Sequence, residues 1–194
     1  MRIEVIKNFL SPEEIAGLNA WADEGVQKRW LDIGAADMAN TPTTRDTRVT
    51  SRLYGNRYEY SNLVNLVANR IRFCCGVANM PVIEGHGKNG VVVSCTFNGG
   101  DIFAHKDKLC QEQQHWAALR CNVMTRKPDS GGKLFVGGQY VPLDVGDLHC
   151  YLASEHEHYV TTVEGNTSRV LWMFGACVPA EDWDGYKIQV GEVQ

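Results

Sequence analysis

Nowhere do the 194 residues run to the roughly 18 consecutive apolar side chains that a membrane-spanning helix needs. The opening segment MRIEVIKNFLSPEEIAGL also lacks the apolar core of a secretory signal. Both absences lead to the expectation of a cytoplasmic protein with no membrane partner. Positive charge is not in surplus either. The 19 Lys and Arg residues stand against 23 Asp and Glu, a net charge of -4, so the chain as a whole offers nucleic acid no electrostatic footprint. No repeat, low-complexity tract or composition break marks a second domain, and 194 residues at 44% hydrophobic and 22% charged suit one ordinary globular unit spanning 1–194. Cysteine motifs are missing too. Cys74, Cys75, Cys95, Cys110, Cys121, Cys150 and Cys177 are odd in number and contain no C-x-x-C pair, which argues against a zinc ribbon or a redox dithiol. Several sit in apolar runs and read as reduced thiols packed as small hydrophobes.

What the sequence does contain divides at about residue 80. In SPEEIAGLNAWADEGVQ, Ser11 is placed to cap a helix, Pro12 suits its first position, and Glu14 completes a capping box. Ile15, Leu18 and Trp21 then recur at helical spacing. A second helix is expected from about Tyr60 to Cys75, with Leu63, Val64, Val67, Ile71 and Cys74 on its inner side. Between them, residues 34–58 lose periodicity and are rich in polar and turn-forming residues, so a long irregular loop is expected there. Its length points to a lid or binding loop. After Pro81 the period changes. VVVSCTF, HWAALRCNVM, GKLFVGG, QYVPL, DLHCYLA, EHYVTTVE and SRVLWMFGACV are short β-rich runs separated by Gly, Pro and Asn turns. The expected fold is α+β dominated by β: a double-stranded β-helix, or jelly roll, over 81–194, with the helices of 1–80 packed on one sheet.

Chemistry concentrates in GGDIFAHKDK. Residues two apart on a strand share a face, so His105 and Asp107 can offer one nitrogen and one oxygen to a single ion. A third ligand is available downstream in His158, which opens a β-like run. His156 has the same strand parity and competes with it. Two histidines and a carboxylate form the facial triad of non-haem Fe(II) oxygenases, leaving positions open for a chelating 2-oxo acid and dioxygen. A zinc hydrolase can use the same donors. Arg169 tilts the choice, because its planar fork could pair with the remote carboxylate of 2-oxoglutarate from a strand expected beside the metal-bearing one. His86, His115 and His149 have no partner at ligand spacing and read as loop or ordinary strand positions.

In order and spacing, CTFNGG, HKD, LRCNVM, SGGKLF, VPLDVGD, His158 and Arg169 resemble the 2-oxoglutarate- and Fe(II)-dependent dioxygenases, especially their prolyl 4-hydroxylase-like branch. VIKNFLSPEEIAGLNAWA is similar to the N-terminal part of that family. The resemblance implies an enzyme in which His105, Asp107 and His158 hold iron and Arg169 binds 2-oxoglutarate. It would hydroxylate a C–H bond, with a prolyl residue of a protein or peptide as the favoured substrate, and release succinate and carbon dioxide. Ascorbate is an additional candidate cofactor. The same chemistry on a free amino acid, another metabolite or a nucleic-acid base is the alternative, and a non-catalytic metal-binding jelly-roll module is a further one. Aromatic residues that this family often uses to seat the cosubstrate are replaced: Thr96 or Phe97 stands in the first region, while Asn122 and Met124 share a face in the second. Asn122 is the better hydrogen-bonding candidate of the latter two. Oligomeric state is not expressed in any of these features.

Overall fold

The computed structural model describes residues 3–28, 47–52, 62–83, 90–109 and 111–179. In chain order these form β1 (Glu4–Ile6), α1 (Pro12–Gln27), β2 (Arg48–Arg52), α2 (Asn62–Cys74), β3 (Val91–Thr96), β4 (Ile102–His105), β5 (Trp116–Arg126), β6 (Ser130–Gly131), β7 (Leu134–Val136), β8 (Gln139–Val141), β9 (Leu148–Leu152), β10 (His158–Val160), β11 (Val163–Glu164) and β12 (Arg169–Pro179). Two antiparallel sheets carry the fold, one ordered β1-β9-β5-β12-β3-β2 and the other β4-β10-β7-β8, with β6 and β11 forming a short ribbon. This is the double-stranded β-helix with N-terminal helices. Among the described residues no helix is long and apolar enough to cross a membrane.

Helix α1 starts where its local chemistry dictates. Ser11 Oγ accepts from the Glu14 amide at 3.2 Å, and the Glu14 carboxylate accepts from the Ser11 amide at 2.9 Å. Two otherwise orphaned backbone donors are thereby satisfied. The same carboxylate receives both Nη1 and Nη2 of Arg70, each at 2.8 Å, so one residue caps α1 and ties it to α2. The helices approach closely at Gly17, where a Cβ would lie 2.6 Å from Leu63 Cδ2.

Strand alternation gives the six-stranded sheet two unlike faces. Val91, Val93, Cys95, Leu119, Cys121, Val123, Leu148, Cys150, Val170, Trp172 and Phe174 point outward and pack beneath Leu18, Ala22, Val64, Val67 and Ile71 of the helices. Trp21 meets Trp172 with ring centroids 5.3 Å apart. The opposite face looks toward the smaller sheet. Met124, Tyr151 and Leu171 join Leu134, Val136, Val141 and Val160 in a second core, while polar residues occupy the rest of that face.

The irregular loop expected over 34–58 is interrupted by β2, which pairs with β3 from Arg48↔Thr96 to Arg52↔Val92. A partner edge makes this polar segment a strand: Val49 packs against the helix-side core, and Arg48 Nε donates to Ser94 Oγ at 2.8 Å. The remainder of that loop, 34–46 and 53–58, lies outside the described residues, as do Cys110, His86 and 180–194.

Trp172 is fully buried at the contact between helix and sheet. Trp172→Ala is expected to cost about 3–5 kcal/mol. Phe73→Ala, at a side chain 72% exposed, should stay within about 0.5 kcal/mol. Urea unfolding of the two variants measures both, and similar midpoints for them would contradict this packing.

Candidate metal and cosubstrate site

Strand register brings the first two donors together. β10 pairs with β4 so that His158 lies directly opposite His105, and their ring centroids are 4.3 Å apart. Asp107 arrives differently from the same-strand arrangement expected. β4 ends at His105, and Asp107 follows in extended chain whose amide donates to Ala153 O at 2.9 Å. Its Oδ1 lies 3.6 Å from His105 Nε2 and 3.9 Å from His158 Nε2. One ligand atom from each of the three falls within 4.8 Å of the others.

Tautomers are set by the backbone. His105 Nδ1 donates to Phe103 O at 2.8 Å, and His158 Nδ1 donates to His156 O at 3.0 Å. Each ring therefore turns a lone-pair Nε2 toward Asp107, the usual outer-contact arrangement of a metal-binding histidine. His156 contributes its carbonyl here, and its ring is not among the clustered donors. Arg120 Nε donates to Asp107 Oδ2 at 2.6 Å, which leaves Oδ1 as the oxygen facing the histidines. Burial pushes the Asp107 carboxyl up, but the Arg120 cation and its hydrogen bond outweigh it and hold the group well below the ordinary range. His158 is lowered to about 4, by burial first and then by the neighbouring His105 and Arg120, against the pull of Asp107. Asp107 is thus an ionised carboxylate and His158 a neutral imidazole at neutral pH, protonation states that a divalent cation requires of its ligands.

Arg169 sits on β12, in the six-stranded sheet, and not on a neighbour of the metal-bearing strands as expected. It faces the cluster's sheet across the sandwich. β12 follows a different route because β10 and β12 alternate between the two sheets. Arg169 is 0% exposed, and Nε, Nη1 and Nη2 all lack a hydrogen-bond partner. Burial, and next the charge of Arg48, lowers it to about 10, so it remains a cation at neutral pH. Gly132, at φ +59°, lets the chain pass this side chain, since a Cβ there would lie 3.1 Å from Arg169 Cδ.

Other orphans share that inner face. Thr96 Oγ1, Asn122 Oδ1 and His149 Nδ1 are buried without partners, and Asn122 Nδ2 donates to His149 Nε2 at 3.2 Å. An unsatisfied buried polar group costs about 1–3 kcal/mol. Several concentrated on one face, one of them a guanidinium, fit a polar anionic ligand such as 2-oxoglutarate. His149, read from the sequence as an ordinary strand position, belongs to this set; Arg48 falls in the segment expected as a lid or binding loop, and Arg120 was missed altogether. Period-2 parity with Asn122 was the available signal for Arg120.

Solved structures of two prolyl hydroxylases share this fold. A viral collagen prolyl hydroxylase, vCPH, from Paramecium Bursaria Chlorella virus-1, solved as a 2OG complex, is 15% identical. The match covers 92% of this chain and 97% of that one, with TM-score 0.59. A Pseudomonas putida prolyl-4-hydroxylase is 14% identical over 91% of this chain and 92% of its own, with TM-score 0.66. No protein-family model matches the chain, and no curated protein matches it in sequence.

His149 yields a pH prediction. Burial, and then the charge of Arg169, lowers it from 6.5 to about 3. Between those values the unfolded chain binds a proton that the folded chain refuses, so stability is retained above about 6.5 and lost as pH falls toward 3. His149→Asn should flatten that slope by up to about 1.4 kcal/mol per pH unit. Denaturant unfolding of metal-free protein across this range checks it, and an unchanged slope would contradict the buried neutral imidazole.

Proposed function

We propose that this chain is an Fe(II)- and 2-oxoglutarate-dependent hydroxylase. One observation carries the reading: a fully buried arginine with three unpartnered nitrogens faces, across the sandwich, a His-Asp-His cluster whose donor atoms already converge. His105 Nε2, Asp107 Oδ1 and His158 Nε2 would hold the iron, and Arg169 with the Thr96 hydroxyl would receive the distal carboxylate of 2-oxoglutarate. When bound, the pair supplies the oxidising chemistry: dioxygen is consumed, 2-oxoglutarate becomes succinate and carbon dioxide, and a substrate C–H becomes C–OH. The chain's own work is positional. Backbone carbonyls fix the two imidazole tautomers, Arg120 restrains Asp107 to one ligating oxygen, and Val136, Val160 and Leu171, with Met173 against them, pack as an apolar core between the sheets.

Peptidyl proline is the substrate favoured by likeness, since the similar structures are named as prolyl hydroxylases. A second reading, the same chemistry on a small anionic metabolite such as a free amino acid, is favoured by the arginines. Arg48 joins Arg120 and Arg169 on the inner face, close enough for their charges to act on one another. Mass spectrometry of candidate peptides and carboxylate metabolites, scored by a gain of one oxygen coupled to succinate release, separates the two.

Two predictions test the assignment. His158→Ala should abolish Mn(II) binding, used as a redox-inert stand-in for iron, while His156→Ala retains it. Titration calorimetry reads both, and the reverse pattern would move the third ligand. Arg169→Ala should weaken 2-oxoglutarate binding by about 1.5–3 kcal/mol, roughly ten- to a hundredfold, with Mn(II) affinity unchanged. Arg169→Lys should recover only part of it, because a point charge cannot reproduce the bidentate fork. Equal 2-oxoglutarate affinity in wild type and the alanine variant would remove the main support for an oxygenase over another metalloenzyme.

A further inference from the structure

On the outer face of the six-stranded sheet, behind the candidate iron site, three cysteines from distant parts of the chain converge. Cys121 of β5 and Cys150 of β9 are directly opposed in the ladder. Cys75, one residue beyond α2, lies over them, its Sγ 3.6 Å from that of Cys150. All three sulfurs fall within 4.8 Å of one another, and the residues are only 3%, 2% and 1% exposed for Cys75, Cys121 and Cys150. We propose that Cys75, Cys121 and Cys150 form a buried site for one soft monovalent d10 cation, Cu(I), clamping the end of α2 to β5 and β9.

The geometry suits three sulfurs around one ion. With metal–sulfur bonds of about 2.3 Å, a trigonal site separates its sulfurs by about 4 Å. The observed spacing therefore needs adjustments of no more than several tenths of an ångström. Ligand number argues for copper over zinc. Among the described residues the cluster contains these three donors and no fourth, and all three are buried from solvent. Thiolates with low coordination number select Cu(I). Charge supports the same assignment. Arg72 Nη1 is buried without a hydrogen-bond partner, while Nη2 donates to Ala78 O and Met80 O, and the arginine's charge acts on Cys121. Three thiolates around Cu(I) carry two net negative charges, which that guanidinium offsets in part. The hydrogen bonds from Cys121 and then Cys150 hold the Cys75 thiol below its ordinary value, so one sulfur is already disposed to ionise. Binding would release the displaced thiol protons to solvent.

The test uses the full chain, reduced and anaerobic, titrated with Cu(I) delivered from a competing chelator. Expected are one equivalent retained against the chelator, a near-ultraviolet thiolate-to-copper charge-transfer band, an all-sulfur copper shell by X-ray absorption, and a raised thermal midpoint. His158→Ala and Cys95→Ala should keep that equivalent, whereas Cys121→Ala and Cys150→Ala should lose it. Alkylation mapping of the wild-type chain, which needs no core variant to fold, should show Cys75, Cys121 and Cys150 alone shielded by copper. Failure to hold Cu(I), nitrogen in the copper shell, shielding of other thiols, or a Cys75–Cys150 disulfide in the reduced protein would each overturn the proposal. None of these results bears on iron or 2-oxoglutarate binding.

Discussion

The pairing of β5 with β12 is the constraint on which the rest of the structure depends. Ten residue pairs run from Val170↔Arg126 to Pro179↔Trp116, and they decide which side chains meet helices and which meet the cavity. Leu119, Cys121, Val123, Trp172 and Phe174 turn outward into the helix-side core. Arg120, Asn122, Met124 and Leu171 turn inward. A slip of one residue would exchange the two sets, placing an arginine and an asparagine beneath α1 and tryptophan in the polar cavity. The burial of Trp172 therefore protects the site chemistry as much as the fold. A bulge between Val170 and Leu171 adjusts the same ladder at its end. With Thr125 as the extra residue, Arg126 is re-aimed outward, where both its Nη atoms pair with Asp23 of α1.

How much of this could be read in advance follows from how local each signal is. The capping box of α1 spans four residues and was legible in full, as was the His105–Asp107 spacing, although Asp107 proved to lie beyond the strand. His158 was legible through its place at the start of a β-run; its position opposite His105 is a fact of register between strands more than fifty residues apart. Asn122 was correctly placed with Met124 on one face, but its bond to His149 depends on β5 pairing β9. The place of Arg48 on the inner face was not legible because β2 has no apolar alternation of its own and exists as an edge added to β3. The three cysteines illustrate the limit most plainly. Each sits in an apolar run and reads alone as a small hydrophobe; their convergence is created by cross-strand pairing and the docking of α2.

The two sheets divide the labour of the candidate site. The smaller sheet, through β4 and β10, carries the histidines and positions Asp107 beside them. The larger sheet carries Arg169, Thr96, Asn122 and His149. Neither sheet alone has all of the candidate residues, so the sandwich closure supported by Met124, Val136, Tyr151, Val160 and Leu171 also brings the candidate metal donors against the candidate anion-binding groups. That arrangement explains why so many unsatisfied polar atoms are tolerated. At about 1–3 kcal/mol each such atoms cost stability wherever no ligand or water satisfies them, and the apolar face on the other side of the same strands counters that cost.

Charge gives the last step. Both Arg169 and Arg48 are lowered by burial to about 10 and so stay cationic at neutral pH. Arg120 is a third guanidinium on that face, and Asp107, its partner, is the carboxylate described among the metal-site donors. A divalent ion and doubly charged 2-oxoglutarate would cancel one another, leaving the arginines opposed by Asp107 among these groups. A peptidyl proline is neutral and offers such a cavity only its carbonyl dipoles. A carboxylate-bearing substrate offers a charge that a buried guanidinium can pair with directly, at the strength of a charge-assisted hydrogen bond. With Arg169 proposed for 2-oxoglutarate and Arg120 paired with Asp107, Arg48 is the inner guanidinium whose charge bears on the proposed choice between these substrates.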